Sequence, residues 1–175
     1  RRIGGAGWRQ HVAIEGEAQL ESIARSGRGC LVATAYFGNP AVAAVAMGHV
    51  FRPIHVIADY LSQPQLRGWQ HELYGLPQVR IIERHRAGAM IPKVLESGGA
   101  VFLICEQERL RGPAFEVSYL GRTLRCYPTL DRLSRWYDVP TVAITCHRNA
   151  APLLFTHEVA GIVECEREEG AVTRR

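Results

Sequence analysis

Short apolar runs alternate along the chain with amphipathic stretches of about ten residues. Apolar runs bounded by glycine or proline indicate buried strands, and apolar residues at helical spacing indicate helices that pack on one side. We therefore predict strands over residues 8–16, 30–35, 54–58, 79–82, 100–105, 115–119, 123–126, 141–146 and 153–163, and helices over residues 17–26, from 41 onward, 65–74, 87–96 and 129–137. In the helix 87–96, the residues expected to face the core are Met90, Ile91, Val94 and Leu95.

Strands that alternate with helices of this length predict an α/β fold with a central, mostly parallel sheet flanked by helices. The runs 115–119 and 123–126 flank Leu120-Gly121-Arg122 and predict a hairpin. A chain of 175 residues that is 47% hydrophobic and 22% charged suits one domain, residues 1–175, with a charged tail over 164–175.

The junction after the strand 30–35 carries the clearest functional pattern. It reads Thr34-Ala35-Tyr36-Phe37-Gly38-Asn39-Pro40-Ala41, a strand, a turn and the start of a helix. Such junctions commonly hold the catalytic groups of α/β enzymes. The segment resembles the catalytic loop of the lipid A biosynthesis (lauroyl/myristoyl) acyltransferases, within the lysophospholipid and glycerol-phosphate acyltransferase superfamily, where it reads roughly Thr-Ala-His-Phe-Gly-Asn-Trp-Glu.

The resemblance extends from about residue 12 to residue 163 and implies a glycerol-phosphate-acyltransferase-like fold. In that family the His-x4-Asp/Glu pair of the loop is the catalytic dyad. Here Tyr36 stands at the His position and Ala41 at the acid position. Three other matches support the resemblance. Arg84 follows a short strand, Glu106-Gln107 stand where the family has Asp-Gln, and Arg148 follows a late strand. The implied substrate-binding residues are Gly38, Asn39, Arg84, Glu106, Gln107 and Arg148, with Tyr36 at the catalytic position.

None of the seven histidines is followed by an acidic residue five positions later. His55 and Asp59 come closest, with one residue fewer between them, and on a strand they would share a face. They are either a displaced dyad or residues with separate surface and packing roles.

Two functions follow from the resemblance. The first is an acyltransferase that moves a fatty acyl group from an acyl thioester, acyl-CoA or acyl-carrier protein, to a glycolipid or phospholipid acceptor, without a cofactor. The second is an inactive homologue that binds lipid or acyl carrier, or is a structural subunit of a membrane complex. A Tyr, with a pKa near 10, is a poor general base at neutral pH, which favours the second function. Both imply contact with a lipid head group and with the cytoplasmic face of the bacterial inner membrane.

The formal charge of +4 comes from arginine almost throughout, since Lys93 is the only lysine. Arginine suits partners that carry phosphate, although ordinary solvated faces explain the same composition. Arg109, Arg111, Arg122 and Arg125 form either a basic rim around a pocket or a polar hairpin. No nucleic-acid recognition motif accompanies these charges.

Five cysteines without C-x-x-C spacing predict a reducing compartment, with neither a disulfide framework nor a metal site. No uninterrupted apolar run reaches the length of about 18 residues that a membrane span needs. The chain begins without Met, which indicates a fragment or a processed piece, and the resemblance implies an N-terminal membrane anchor outside it.

Overall fold

The computed structural model describes residues 5–59, 68, 70, 72, 75–109, 111–150 and 154–165. The α-helices of this part of the chain are α1 (Glu17–Arg25), α2 (Pro40–Phe51), α3 (Ala87–Glu96) and α4 (Thr129–Tyr137), and the short 3₁₀ helices are Trp8–Gln10 and Arg84–Arg86. The strands are β1 (Val12–Glu15), β2 (Cys30–Thr34), β3 (Ile54–Ala58), β4 (Val79–Glu83), β5 (Ala100–Ile104), β6 (Phe115–Tyr119), β7 (Arg122–Cys126), β8 (Thr141–Arg148) and β9 (Phe155–Val163).

A seven-stranded sheet of order β1-β9-β8-β2-β5-β3-β4 forms the centre of the fold. The strands β8, β2, β5, β3 and β4 are all parallel to one another. β9 runs antiparallel to β8, and β1 runs parallel to β9. The predicted α/β fold with a mostly parallel central sheet is therefore confirmed.

Strand β2 lies in the middle of the sheet, and all five of its residues are buried. This agrees with its continuous apolar sequence, because a strand covered by helices on both faces has no polar side. One core cluster joins one face of the sheet to α1 and α2, and it includes Val32, Leu20 and Met47. The second joins the other face to α3 and α4, and it includes Leu31 and Leu133.

The predicted helices over 17–26, 87–96 and 129–137 are confirmed with small changes at their ends. The strand predicted over 8–16 is partly wrong, because Trp8–Gln10 form a 3₁₀ helix and the strand covers only Val12–Glu15. Strand β8 continues two residues past the predicted end, to Arg148. The helix predicted over 65–74 lies largely outside the described residues. The predicted burial of Met90 is wrong, because its side chain is 36% exposed. The buried stripe of α3 consists of Ile91, Val94 and Leu95, and Met90 lies beside that stripe rather than within it.

The predicted hairpin is also confirmed. Strands β6 and β7 pair antiparallel as a separate two-stranded sheet, in which Tyr119 lies opposite Arg122. All five residues of β6 are exposed. This hairpin therefore adds little to the two core clusters.

Candidate functional site

The β2–α2 loop, residues 35–39, lies where the carboxyl ends of the parallel strands meet. The last residue of β2, Thr34, is fixed on both sides. Its carbonyl oxygen accepts a hydrogen bond from the Cys105 amide at 2.9 Å, and its hydroxyl donates to the Ile144 carbonyl at 3.1 Å. The loop therefore starts from a point held between the neighbouring strands β5 and β8.

Gly38 is the point of closest approach between this loop and β8. Its φ of +68° lies in the left-handed region that favours glycine. A Cβ atom at this position would overlap the carbonyl oxygen of Cys146. The next amide, that of Asn39, donates to the Cys146 sulfur at 3.3 Å. Burial raises the pKa of the Cys146 thiol, so this residue packs as a neutral group under the loop.

Asn39 caps the N-terminus of α2. Its side-chain oxygen accepts hydrogen bonds from the amides of Ala41 and Val42, both at 3.2 Å. Pro40 occupies the first helical turn, where its missing N–H leaves no donor unsatisfied. This cap and the fixed end of β2 together define the course of the five loop residues.

The two aromatic residues of the loop project to opposite sides. The Tyr36 hydroxyl accepts a long hydrogen bond of 3.4 Å from the Gln107 amide, just beyond β5. The Phe37 ring meets the His147 ring edge-on, with 5.2 Å between centroids, at the end of β8. Both aromatic side chains are more than half exposed, at 59% and 54%. The loop thus presents a phenol and an aromatic surface to solvent.

The other predicted site residues are distributed along the same edge of the sheet. Glu106 follows β5 beside Gln107, and Arg148 ends β8, both with exposed side chains. Arg84 follows β4, which is separated from β2 by β5 and β3. Its Nε donates to the Asp59 carboxylate at 2.8 Å. The structure therefore brings Gln107 to the loop. It places Arg84 in an exposed ion pair, with two strands between β4 and the strand that leads into the loop.

His55 and Asp59 do not pair with each other. The His55 Nδ1 lies 3.3 Å from the Ala100 carbonyl oxygen, and the Asp59 carboxylate pairs with Arg84. Burial lowers the pKa of His55, which favours the neutral ring. The two residues therefore have separate packing and surface roles, and the displaced-dyad interpretation is wrong for this pair.

A histidine near a carboxylate at the end of β8 was not predicted from the sequence. His147 Nε2 lies 3.9 Å from the Glu158 carboxylate and 3.0 Å from the Thr145 hydroxyl. The antiparallel pairing of β8 with β9 creates this contact, since Thr145 lies opposite Glu158. Only the register of the two strands reveals this contact, because the spacing of His147 and Glu158 along the chain matches no local motif.

In the described ranges, no three His, Cys, Asp or Glu side chains are grouped closely enough to hold a metal ion. None of the helices in the described part of the chain has the length and apolar character needed to cross a membrane. No curated protein matches the chain. The sequence profile of the bacterial lipid A biosynthesis acyltransferases, by contrast, matches residues 6–175. This match covers nearly the whole chain, which therefore belongs to the bacterial lipid A biosynthesis acyltransferase family.

Proposed function

We propose that the protein transfers an acyl group from an acyl thioester to a hydroxyl of a glycolipid or phospholipid acceptor, at the β2–α2 loop. The supporting observation is the loop itself, which approaches β8 through Gly38 and opens α2 through the Asn39 cap. Glycine is favoured at residue 38 because its φ is +68°, and Asn39 is one of the residue types that cap a helix well. We propose with it the glycerol-phosphate-acyltransferase-like variety of the α/β fold, with acyl-CoA or acyl-carrier protein as donor.

The exposed polar residues along the same edge give the acceptor and donor their contacts in this proposal. Arg148 ends β8 without a hydrogen-bond or ion-pair partner among the described residues, so its guanidinium is available to a head-group phosphate. Arg84 supplies a second cation, although Asp59 competes for it. Gln107 orients the Tyr36 hydroxyl, and Glu106 lies beside it. These contacts would place the acceptor over the loop.

A second candidate function is a homologue that binds acyl donor and lipid without chemistry. It is favoured by Tyr36 and Ala41, which replace the imidazole and the carboxylate of the family's dyad. The Tyr36 phenol cannot act as a general base near neutral pH, and a methyl group cannot orient one. Binding without turnover is the outcome that this candidate predicts.

Transfer of a radiolabelled acyl group separates the two candidates. Acyl-CoA and acyl-carrier protein would be tested as donors against a panel of lysophospholipids and lipid A precursors. Tyr36→Phe, run beside the wild-type chain, removes only the hydroxyl that Gln107 contacts. Turnover by the wild type supports acyl transfer. No turnover with any pair, together with saturable binding of acyl-CoA, supports the non-catalytic candidate.

The double substitution Tyr36→His with Ala41→Glu provides an internal check on the loop. Ala41 lies in the first turn of α2, where a carboxylate is favourable to the helix dipole. If the cleft is intact, the restored pair should create or raise acyl transfer. A folded double variant with no gain would mean that the cleft has been remodelled.

We also propose that the β6–β7 hairpin makes the peripheral contact with an anionic lipid surface. Its pairing places Phe115, Val117 and Tyr119 on one face, and each is 43% exposed or more. Leu120 at the tip is 86% exposed and has a φ of +50°. A large apolar residue gains nothing for folding at such a position, where Asn or Gly is usual.

The charges around the hairpin fit an anionic surface. Arg122 lies opposite Tyr119 and so shares the apolar face, Arg111 is exposed in the segment before β6, and Arg109 lies over the Tyr127 ring, 4.9 Å from its centroid. Basic residues next to an apolar tip bind the acidic lipids of a membrane surface, and each contributes about 1 kcal/mol. A two-stranded hairpin is also marginal in water by itself, so a lipid surface would stabilise it.

Vesicle co-sedimentation tests this contact. We expect the chain to bind phosphatidylglycerol-containing vesicles and to bind pure phosphatidylcholine vesicles less. Leu120→Asn should weaken binding roughly tenfold, because burying a Leu side chain contributes about 1.5–3 kcal/mol. Ser118→Asn, on the opposite face of the hairpin, is the matched control and should bind like the wild type. Equal binding by the two variants would contradict the proposal.

A further inference from the structure

The strongest chemical feature outside the family's dyad positions is His147 at the end of β8. Its ring contacts the Phe37 ring of the β2–α2 loop at 5.2 Å between centroids. It is therefore the described histidine in ring contact with the loop where the family performs its chemistry. The side chain is 45% exposed, so an acceptor hydroxyl can reach it.

The surroundings of His147 fix which ring nitrogen faces the protein. The Thr145 hydroxyl and the Glu158 carboxylate both approach Nε2, at 3.0 Å and 3.9 Å. In the tautomer with the proton on Nε2, the ring donates to the Thr145 hydroxyl beside the Glu158 carboxylate, and the lone pair lies on Nδ1. No described residue forms a hydrogen bond with Nδ1. A histidine held at one nitrogen by a hydroxyl, with a carboxylate close by, and open at the other nitrogen has the form of a general base.

The other charged groups near His147 do not replace this carboxylate. Arg148 is its neighbour on β8, and alternate residues of a strand point to opposite faces. His157 lies opposite Cys146 and is fully buried. Glu158 is thus the described acidic group that interacts with the imidazole.

We propose that His147, oriented by Glu158 and Thr145, is the general base for acyl transfer at the β2–α2 loop, in place of the family's missing histidine. This inference rests on the proposed acyl transfer. It supplies the residue that the transfer lacks, since Tyr36 cannot deprotonate a hydroxyl at neutral pH.

In this step the acceptor hydroxyl oxygen attacks the thioester carbonyl carbon while Nδ1 of His147 takes the hydroxyl proton. The C–O bond of the ester forms and the C–S bond breaks. The leaving thiolate then takes the proton from the imidazolium, which regenerates the neutral ring. The products are one ester and one thiol, with no oxidant, reductant or metal required.

The first experiment measures kcat and KM for acyl transfer in His147→Asn and Glu158→Gln. Loss of a general base typically lowers kcat by about 10²–10⁴-fold, and we expect a fall of that size in His147→Asn with little change in KM. Glu158→Gln should lower kcat less. It should leave KM nearly unchanged, because Glu158 acts through the imidazole and does not touch the acceptor in this proposal.

A matched control is present at the far side of the sheet. His85 and Glu83 form another exposed histidine–carboxylate pair, 3.3 Å apart, next to β4. Strands β2, β5 and β3 separate β4 from β8. His85→Asn should leave kcat unchanged. If His147→Asn behaves like His85→Asn in an active enzyme, the assignment of His147 is overturned while the proposed acyl transfer stands.

A second measurement is independent of turnover. In NMR spectra of the imidazole resonances, added acyl-CoA should shift the His147 resonances but not those of His85. Unchanged His147 signals would overturn the proposal. Signals that respond to acyl-CoA in a chain with no turnover would refute acyl transfer, and with it the role as base, but would retain His147 in the binding cleft.

Discussion

Asn39 shows at the scale of one residue how the loop is held. Its side chain satisfies two amides at the start of α2, and that function is independent of any substrate. We expect Asn39→Ala to lower the free energy of unfolding by about 1 kcal/mol, the usual contribution of such a cap. Asn39→Asp keeps an acceptor at the same place and should lose much less. Urea denaturation measures both, and equal losses would show that the cap does not stabilise α2.

Gly38 tests the approach of the loop to β8. An alanine there would adopt an unfavourable left-handed conformation, which costs about 1–2 kcal/mol, and its Cβ would also overlap the Cys146 carbonyl. Gly27→Ala is the matched control, since its φ is +70° but nothing lies within 4 Å of the added atom. Thermal unfolding should show a larger loss of stability for Gly38→Ala. If the two losses are the same, the close contact with β8 does not constrain the loop.

The hairpin allows a prediction at the scale of one element. Leu120 and Gly121 form its two-residue turn, and both have positive φ, as in turns that favour Asn-Gly. Leu120→Asn should therefore stabilise the hairpin by about 1 kcal/mol and slow amide exchange in β6 and β7 roughly fivefold. Native-state hydrogen exchange measures this change. An accelerated exchange would mean that Leu120 stabilises the hairpin by packing, which would weaken the proposed membrane role.

Most elements were predictable because their signals are local. Ile54–Ala58, Ala87–Glu96 and Thr129–Tyr137 have the bounds that the sequence indicates, since each has a clear period and a Gly, Pro or Asp nearby. The turn at Gly38 and Asn39 was predictable for the same reason. The exposure of Met90 was not predictable, because the burial of a helical residue depends on which neighbouring element packs against it.

The candidate site was predictable only where it follows one segment of chain. The loop 35–39 was identified from its own residues, whereas the contact between Tyr36 and Gln107 needs the adjacency of β2 and β5. The pairing of His147 with Glu158 needs both the antiparallel direction of β9 and its register with β8. Non-local strand pairing is not encoded in the local pattern, and a change of register by one residue would turn Glu158 to the other face.

At the scale of the whole molecule, the candidate site residues lie along one edge of the sheet. The carboxyl ends of β2, β5, β3, β4 and β8 meet there because these strands are parallel, and their side chains include Tyr36, Gln107, Arg84 and His147. β9 begins at the same edge because it is antiparallel, and so brings the acid to the histidine. This is the edge at which open α/β sheets usually bind their ligands.

The buried His157 should make the stability of the whole fold depend on pH. Burial lowers its pKa from 6.5 to about 4, although the backbone of Thr145 on β8 acts in the opposite direction. Between these two values the unfolded chain binds a proton that the folded chain does not. The free energy of unfolding must therefore fall as pH is lowered from about 6.5 to about 4, and His55, whose pKa is also lowered, contributes in the same direction.

The pKa of His157 is 6.5 in the unfolded chain and about 4 in the folded chain, a difference that corresponds to roughly 3 kcal/mol. This is a large fraction of the stability of a single domain. His157→Leu places an apolar side chain of similar size in the core and removes the titrating group. Urea unfolding at pH 7, 6, 5 and 4.5 should give a shallower loss of stability for this variant than for the wild type. The carboxylates contribute equally to both chains, so the difference between the two slopes isolates the histidine. Parallel slopes would mean that His157 reaches solvent, or a partner, in the folded state.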